Sequence, residues 1–377
     1  MVNSVRWKDK LKSFLLQFFL KFFSRRDGCA TQAPVDVKRI AVWQFGGVGD
    51  MVIGAGAVRD LLRAYPEAEI DVFCSNPEGS RFILGLSKRV GSIYHFNTHE
   101  IDFISVFKAA TRSHLAKVIG ILKKNQYDIL VNLHIPRFID WWAFEILVMR
   151  WSQAKYLVGF VPLGCREGVF EQQSETAVVR DVHYLQLFRD LLAPIGVDVL
   201  PRGAFPVVPQ HKRKQIAVIH PGASVLFKRW PIMGFASIAK QLIGDGWKVF
   251  VIGDVAEIKL GRELCKQVPE AENRVGVLDL KETVKLLASA SLFLGNDSAP
   301  FHLAVAVETP AVGIFGSGPL MYSHYPIKAV RVVRLSLPCI PCFENHCVYN
   351  MECMTEMTVD EVWSNIVELN DNKSKSG

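Results

Sequence analysis

The sequence predicts an α/β protein of two doubly wound, mostly parallel sheets, and three observations lead to that fold class. Short apolar strands alternate with helices along most of the chain, which is the pattern of consecutive βαβ units. The alternation lapses once, near position 200, and then resumes with the same rhythm. At 377 residues the chain is also too long for one ordinary domain. Two α/β domains of similar size are therefore expected.

The composition is that of a folded enzyme rather than a nucleic-acid binder. Half of the residues are hydrophobic and 21% are charged, which leaves ample material for two cores. The formal charge of +7 is mild for this length and is not concentrated enough to suggest nucleic acid. Because no nucleic-acid-binding motif accompanies that charge, nucleic acid is excluded as a partner.

Residues 1–37 form a basic segment around an apolar run, Phe14–Leu20. That run is far shorter than the roughly 20 residues that span a bilayer. It also lacks the small-residue cleavage site of a signal peptide. A basic, Phe/Leu-rich helix of this kind suits the surface of an anionic membrane, and a helix docked on the protein itself is the alternative.

The N-terminal domain, 38–200, begins with a βαβ unit. Strands are predicted at Arg39–Gln44, Ile70–Cys74, Tyr127–Leu133 and Lys155–Val161, and helices at Met51–Ala64, Val118–Lys124, Trp141–Arg150 and His183–Pro194. A proline-rich linker without periodicity, Gly196–Lys214, ends the domain.

The C-terminal domain, 212–357, repeats the same order of elements. Strands are predicted at Gln215–Ile219, Lys248–Ile252, Leu292–Leu294 and Ala311–Phe315, and helices at Pro231–Ile243, Ala256–Lys266 and Glu282–Ala288. A last helix, Thr358–Leu369, lies in the segment 358–377, for which packing back on the N-terminal domain is considered.

The first candidate loop, Gly46–Asp50, follows the first strand. Gly47 and Gly49 allow a tight turn and the close approach of a substrate. Asp50 then stands at the carboxyl end of the strand, where a carboxylate can take a proton from an acceptor hydroxyl. A helix N-cap is the alternative role for the same side chain.

This glycine-rich turn also raises the alternative of a dinucleotide-binding oxidoreductase. Read as G-x-G-x-x-G from Gly47, the motif has Val52 in place of its third glycine. It also places Asp50 where a pyrophosphate would approach, and the second strand ends at Cys74 rather than at an acid. The sequence therefore disfavours a nicotinamide or flavin site.

The second candidate loop runs from His220 to Pro231 and contains Gly222, Ser224 and Lys228. Backbone N–H groups and the serine hydroxyl can hold phosphate oxygens, and the lysine can neutralise their charge. The pattern thus favours a diphosphate cradle, with a solvated basic loop as the alternative.

The third candidate loop lies within Leu292–Ala306, where a short strand breaks at Gly295 and passes through Asp297 and Ser298 into a helix. Such a joint points several N–H groups at the carboxyl end of the sheet, where open α/β sheets bind ligands. An ordinary strand–turn–helix joint is the alternative. Asp297 is expected to bond a sugar hydroxyl or to cap the helix rather than to touch phosphate.

At these three loops the sequence resembles glycosyltransferase family nine, the ADP-heptose:lipopolysaccharide heptosyltransferases and their relatives. The resemblance extends from about Arg39 to Leu369. It rests on Gly49-Asp50, on His220-Pro221-Gly222-Ala223-Ser224 with Lys228-Arg229-Trp230-Pro231, and on Gly295-Asn296-Asp297-Ser298-Ala299-Pro300 with His302-Leu303-Ala304. It implies the GT-B fold, in which two Rossmann-like domains face each other across a cleft.

The same resemblance implies an inverting transfer of heptose, or a related sugar, from an ADP-sugar to a lipopolysaccharide core or other glycolipid acceptor. Asp50 would be the base, Ser224 and Lys228 would hold the phosphates, and Asp297 would contact the sugar. The remaining donor-binding positions implied are His220, Gly222, Glu257 (toward the ribose), Ser298, Ala299 and His302. Ala299 departs from the glycine usual in the family, which puts the donor in question and motivates an alternative: an inactive binding or scaffold protein.

The resemblance also implies that no cofactor is required beyond the ADP-sugar substrate. The implied partners are a nucleotide-sugar, a lipid-linked saccharide acceptor and an anionic membrane. The implied location is the cytoplasm, peripherally on the cytoplasmic face of the inner membrane.

Four cysteines cluster near the C-terminus, namely Cys339, Cys342, Cys347 and Cys353. Four thiols at short spacing can bind a structural zinc, although this spacing matches no common zinc finger. We therefore predict no metal, and keep zinc at these cysteines and a cysteine-rich loop without metal as the alternatives.

Overall fold

The computed structural model describes residues 32–44, 46–84, 89–96, 108–135, 145–146, 148–162, 172–176, 183–200, 213–318, 325–340, 342 and 347–374. The described residues fall into two compact units. The first lies within 1–180 and 186–200, and the second within 181–185 and 201–377. None of the helices among the described residues is long and apolar enough to cross a membrane. The basic segment up to residue 31 lies outside the described residues.

The first unit contains one six-stranded sheet. Its strands are β1 (Arg39–Gln44), β2 (Glu69–Cys74), β3 (Val90–His95), β4 (Ile129–Asn132), β5 (Tyr156–Pro162) and β6 (Gln172–Thr176). Its helices are α1 (Val48–Ala64), α2 (Pro77–Leu84), α3 (Ala109–Asn125) and, from residue 186 onward, α4 (Tyr184–Leu192). All five strand pairs are parallel, in the order β3-β2-β1-β4-β5-β6.

The second unit repeats this architecture with a second six-stranded parallel sheet. Its strands are β7 (Lys214–His220), β8 (Lys248–Val251), β9 (Glu272–Asn273), β10 (Ala290–Asn296), β11 (Ala311–Ile314) and β12 (Val330–Val333). Its helices are α5 (Ile232–Gly244), α6 (Ile258–Gln267), α7 (Leu280–Ser289), α8 (Ala299–Ala306), α9 (Glu352–Thr355) and α10 (Val359–Ser374). The order is β12-β11-β10-β7-β8-β9.

Both strand orders contain one point where the chain changes direction across the sheet. In the first sheet it lies between β1 and β4, and in the second between β7 and β10. Parallel crossovers are almost always right-handed, so the helices that follow the two central strands leave on opposite faces and open a crevice between their loops. Each sheet therefore has one position suited to a ligand.

The central strands are buried because each reads as a nearly continuous apolar run, as expected of a parallel sheet covered on both faces. Trp43 and Phe73 pack in the first core, and Trp230 and Phe235 pack edge to face in the second. The two-domain α/β prediction is confirmed at this level.

Three details differ from the sequence predictions. The first helix begins at Val48 rather than Met51, because Gly47 is its N-cap and Asp50 lies in its first turn. The strand predicted to break at Gly295 continues to Asn296. The last helix, α10, runs from Val359 to Ser374 rather than from Thr358 to Leu369, and it buries Val362, Ile366 and Leu369 in the core of the second unit.

Candidate functional site

The switch point of the second sheet brings the second and third predicted loops together. β7 ends at His220 and β10 ends at Asn296, and the register pairs Gly295 with His220. A Cβ on Gly295 would lie 3.0 Å from the main-chain oxygen of His220, so glycine allows the two strand ends to approach. The polar residues that follow both strands therefore share one crevice.

Asn296 fixes the shape of this crevice. Its side chain is fully buried and accepts a hydrogen bond from Trp230 N at 3.0 Å. Its Nδ2 donates to the carbonyl oxygens of Pro221 and Gly222, at 2.9 and 3.3 Å. One amide thus ties both ends of the loop after β7 to the end of β10.

His220 links three elements through its imidazole ring. Its Nδ1 lies 2.9 Å from Ser298 Oγ, and its Nε2 lies 3.0 Å from Glu257 Oε2. Glu257 Oε2 also accepts from Asp254 N at 3.0 Å, and Ser298 Oγ is 3.1 Å from the carbonyl oxygen of Asn296. Three of the side chains predicted to bind the donor, those of His220, Glu257 and Ser298, therefore form one hydrogen-bonded network.

The protons of this network can be counted. Ser298 has one hydroxyl proton, which goes either to the Asn296 carbonyl or to His220 Nδ1. In the first case Nδ1–H donates to Ser298 Oγ, and in the second Nδ1 accepts from it. Both arrangements leave Nε2–H as the donor to Glu257, so the ring orientation stays fixed.

The carboxylate of Glu257 packs against the main chain of two glycines, Gly222 and Gly253. A Cβ on Gly222 would lie 1.8 Å from Glu257 Oε1, and one on Gly253 would lie 2.7 Å from Oε2. Burial by itself would raise the pKa of Glu257. The hydrogen bond and charge of His220, the Asp254 N–H and the charge of Arg229 outweigh burial and lower the pKa. The carboxylate is therefore anionic at neutral pH and already positioned.

Lys228 and Asp297 form the second polar pair of the crevice. Lys228 Nζ donates to Asp297 Oδ2 at 2.6 Å, and the two side chains are 28% and 9% exposed. Lys228 closes the short 3-10 turn Leu226–Lys228. Asp297 does not cap helix α8, whose N-cap is Ser298, so that alternative is corrected. The lysine is oriented toward the end of β10 before any ligand arrives.

His302 lies on α8 and is buried rather than presented to solvent. Its Nδ1 is 2.9 Å from the hydroxyl of Tyr325. Burial, opposed by the charge of Asp297 and aided by that of Lys228, lowers the pKa of His302 to about 4. The ring is neutral at pH 7 and supports the crevice from within the core.

Ser224 and Ala299 complete the predicted donor residues. Ser224 is exposed in the loop after β7, and Ala299 is the partly exposed first residue of α8. Ala299 is not among the residues with positive φ, so an alanine meets no backbone strain at this position. The departure from the family's glycine therefore does not distort the turn.

Asp50 lies at the switch point of the first sheet. It is partly exposed, and its Oδ2 accepts a hydrogen bond from Gly47 N at 2.9 Å. The side chain therefore caps the helix from its first turn, not from the N-cap position. Since a carboxylate offers about four lone-pair sites, this hydrogen bond does not by itself prevent Asp50 from accepting a proton.

The glycine turn around Asp50 is held from both sides. Gly46 has φ +123°, and a Cβ on it would lie 2.5 Å from Asp50 Oδ2. Ser75, just after β2, donates to the Gly46 carbonyl at 2.7 Å. The buried Gln44 donates to the Asp50 carbonyl at 3.1 Å. Gly47 is the exposed N-cap residue of α1, and Gly49 is buried in the first turn of that helix.

The cysteine cluster lies apart from these residues along the chain. Cys353 packs in the second core, and its pKa is raised to about 11 by burial and by the nearby thiols of Cys347, Cys339 and Cys342. Among the described residues no group of three His, Cys, Asp or Glu side chains is arranged to hold a metal ion. All four thiols are free.

Several contributors were not assigned roles from the sequence. They are Gln44, Asn296, Tyr325, and a group formed by Asn132 at the end of β4 with His134 and Glu145 after it. Gln44, Asn132 and Asn296 share one detectable signal, a polar residue at the end of an otherwise apolar strand. Nothing in the sequence indicates which partner each one finds.

The chain is similar to known glycosyltransferases in sequence and in fold. Residues 196–352 match the model of glycosyltransferase family 9 (heptosyltransferase). The lipopolysaccharide heptosyltransferase 2 of Escherichia coli K12 is 31% identical over 318 residues, which cover 76% of this chain and 85% of that protein.

Solved structures show the same fold. E. coli heptosyltransferase WaaC with ADP-2-deoxy-2-fluoro heptose superposes with a TM-score of 0.67 at 15% identity, covering 88% of this chain and 99% of the other. The iron-containing dodecameric glycosyltransferase TibC of enterotoxigenic E. coli H10407 gives 0.52 at 17% identity, with coverages of 89% and 77%. The two parallel α/β units have the GT-B fold of these structures, and a relative at 31% identity covers three quarters of the chain. The chain therefore belongs to glycosyltransferase family 9, the heptosyltransferases.

Proposed function

We propose that the chain transfers a heptose from ADP-heptose to a lipopolysaccharide core sugar, or to a related glycolipid hydroxyl, with inversion at the anomeric carbon. One observation carries the proposal: polar clusters occupy the switch points of both sheets. Asp50 lies at the first, and the His220–Glu257–Ser298 and Lys228–Asp297 groups lie at the second. The names of the relatives supply the substrate class.

The second unit holds the donor in this proposal. Lys228, the exposed Ser224 hydroxyl and the first N–H groups of α8 bind the diphosphate, where the helix dipole favours negative charge. Glu257 accepts hydrogen bonds from the ribose hydroxyls, and Asp297 accepts one from the donor sugar. Because Lys228 is paired with Asp297 beforehand, little ordering is needed when the donor binds.

Asp50 acts as the general base. It takes the proton of the acceptor hydroxyl while that oxygen attacks the anomeric carbon. The electron pair of the breaking bond passes to the β-phosphate oxygen, where Lys228 stabilises the negative charge of the leaving ADP. The displacement occurs once, so the configuration inverts.

No metal is needed in this scheme, since Lys228 and backbone N–H groups supply the positive charge. Transfer should therefore survive dialysis against EDTA with its rate unchanged. A loss of activity that Mg²⁺ or Fe²⁺ restores would contradict this part of the proposal.

The basic segment outside the described residues is proposed to hold the enzyme on the anionic cytoplasmic face of the inner membrane. The full chain should sediment with vesicles containing anionic lipid and not with neutral ones. Replacing Arg25 and Arg26 by Glu should weaken that binding. Equal binding to both vesicle types would remove the membrane contact.

Transfer itself is tested by mass spectrometry of a lipopolysaccharide core oligosaccharide that lacks heptose, incubated with ADP-heptose. The wild type should add the mass of one heptose residue and release ADP. Asp50→Asn should bind ADP with wild-type affinity, because asparagine can still accept from Gly47 N, but transfer at least about 100-fold more slowly. A wild type that binds ADP yet transfers no sugar to any acceptor would instead support a binding or scaffold protein.

A further inference from the structure

A second histidine–carboxylate pair lies at the switch point of the first sheet, and the mechanism above does not use it. His134 Nδ1 is 2.7 Å from Glu145 Oε1, and Asn132 Nδ2 donates to Glu145 Oε2 at 2.9 Å. Asn132 Oδ1 also accepts from His134 N at 2.8 Å. Glu145 is thus hydrogen-bonded to the side chains of both Asn132 and His134, and Asn132 also holds the main chain of His134.

The burial of this group is uneven. The side chain of Glu145 is completely buried, whereas that of His134 keeps 14% of its surface exposed. A buried carboxylate is costly unless its hydrogen bonds are satisfied, and replacing such groups by apolar ones is often neutral or stabilising. Core stability alone therefore does not explain why an ionisable acid sits behind a partly exposed imidazole.

The position of the group is set by the sheet register. Trp43 of β1 pairs with Asn132 of β4, and Leu133 N donates to the Trp43 carbonyl at 2.9 Å. His134 therefore follows the last paired residue of β4, beside the strand that leads into the Asp50 turn. Both loops border the crevice of the first sheet.

The hydrogen bonds also orient the imidazole. With Glu145 ionised, Nδ1 carries a proton and donates to the carboxylate. In the neutral ring the other nitrogen, Nε2, is then an acceptor, to which a sugar hydroxyl can donate a hydrogen bond. His220 and Glu257 show the same relation at the switch point of the second sheet.

We propose that His134 contacts a hydroxyl of the acceptor sugar through Nε2, and that Glu145 and Asn132 are positioning residues that fix its ring. The inference rests on the proposed function, since it needs a saccharide acceptor in the first unit. It gives that unit a second substrate contact besides Asp50, so that the acceptor is held at two points and its reacting hydroxyl is aimed at the base.

Two substitutions of one residue separate a contact from a structural role. His134→Asn keeps a donor at the place of Nδ1, toward Glu145, but has no atom at the place of Nε2. His134→Gln keeps a polar group near the place of Nε2 and loses the Nδ1 contact. Glu145→Gln keeps the side-chain shape and removes its charge.

The matched control is His95→Asn. His95 ends β3, at the edge of the same sheet, and is exposed. The same chemical change therefore occurs at the same end of the sheet, away from the switch point. His95→Asn should leave every kinetic constant unchanged.

The experiment measures KM and kcat for the heptose-free core oligosaccharide, KM for ADP-heptose, ADP affinity by calorimetry and melting temperature. His134→Asn should raise the acceptor KM about tenfold, the size expected for one lost hydrogen bond to substrate. His134→Gln should raise it less, and Glu145→Gln by a few-fold. The donor KM and the ADP affinity should stay within about twofold of wild type.

An acceptor KM of wild-type size in a folded His134→Asn would overturn the inference, as would equal losses of donor and acceptor affinity. If His134→Asn fails to fold, an experiment on the wild-type protein still tests the inference. Modification of His134 by diethyl pyrocarbonate, mapped by mass spectrometry, should be slowed by the core oligosaccharide and not by ADP. Failure of the proposed function looks different, because the wild type would then transfer no heptose at all.

Discussion

Gly222→Ala is the perturbation for which the structure gives the sharpest expectation. The added methyl carbon would lie 1.8 Å from Glu257 Oε1 and 2.2 Å from its Cδ. Non-bonded atoms need about 3.5 Å, so the carboxylate must withdraw by roughly 1.5 Å. Its Oε2 bonds to His220 Nε2 and Asp254 N, both 3.0 Å long, cannot survive that shift.

The loss of unfolding free energy can be estimated from these two hydrogen bonds. Hydrogen bonds to a charged group contribute about 1.5–3 kcal/mol each, and water recovers part of that at a side chain that is 12% exposed. We expect the free energy of unfolding of Gly222→Ala to fall by about 1–3 kcal/mol. Since His220 also orients Ser298, ADP affinity should fall about tenfold or more.

The assays are urea unfolding and calorimetry with ADP. Gly244→Ala is the matched control, because a Cβ on Gly244, the last residue of α5, meets nothing within 4 Å. That control should be neutral or slightly stabilising, with unchanged ADP affinity. The two glycines belong to the same unit, so a general effect of alanine would appear in both.

A double-mutant cycle tests the cause. In the background Glu257→Ala the clash is absent, so adding Gly222→Ala should cost less than about 0.5 kcal/mol. A Gly222→Ala protein with wild-type stability and wild-type ADP affinity would refute the reasoning. An undiminished penalty in the Glu257→Ala background would show that another contact is responsible.

Three further predictions concern single groups. Asp297→Asn should bind ADP about fivefold more tightly, because Lys228 no longer shares its charge with a carboxylate. Its turnover with ADP-heptose should nevertheless be slower. Weaker ADP binding by calorimetry would contradict this prediction. His302 has a folded pKa of about 4 against 6.5 when unfolded, so the unfolded chain takes up the proton first as the pH falls and stability is lost. Urea unfolding should lose about 2 kcal/mol between pH 7 and pH 5 from this group, and His302→Asn should lack that component of the slope. Gly120→Ala, exposed in α3 with open space at its Cβ, should raise the unfolding free energy by about 0.5–1 kcal/mol, and any decrease would argue against a regular helix there.

The sequence predicted the buried strands well because central parallel strands carry continuous apolar runs. β1 was placed at its observed bounds, Arg39–Gln44. The edge strand β3, Val90–His95, was missed because it is mostly exposed or half-buried and shows no such run. The helix Pro77–Leu84 was missed because its first residues, Pro-Glu-Gly-Ser, read as a turn.

At the candidate donor site, residues named from the sequence come together in the structure, and their binding roles remain predictions. The sequence named His220, Glu257 and Ser298, and the structure joins them in one network. It did not show that Glu257 rests on Gly222, nor that Asn296 ties the loop together, because both depend on contacts between segments distant in the chain. His134 and Glu145 escaped notice because a histidine and an acid eleven positions apart form no recognisable motif.

The central claim is that Asp50 removes the proton of the acceptor hydroxyl while the second unit holds the donor. Single-turnover transfer, with enzyme in excess over ADP-heptose and saturating core acceptor, tests it most directly in wild type and Asp50→Asn. The account predicts a rate at least about 100-fold lower in the variant, with the same ADP affinity and the same melting temperature. Equal single-turnover rates in the two proteins would show that another group is the base.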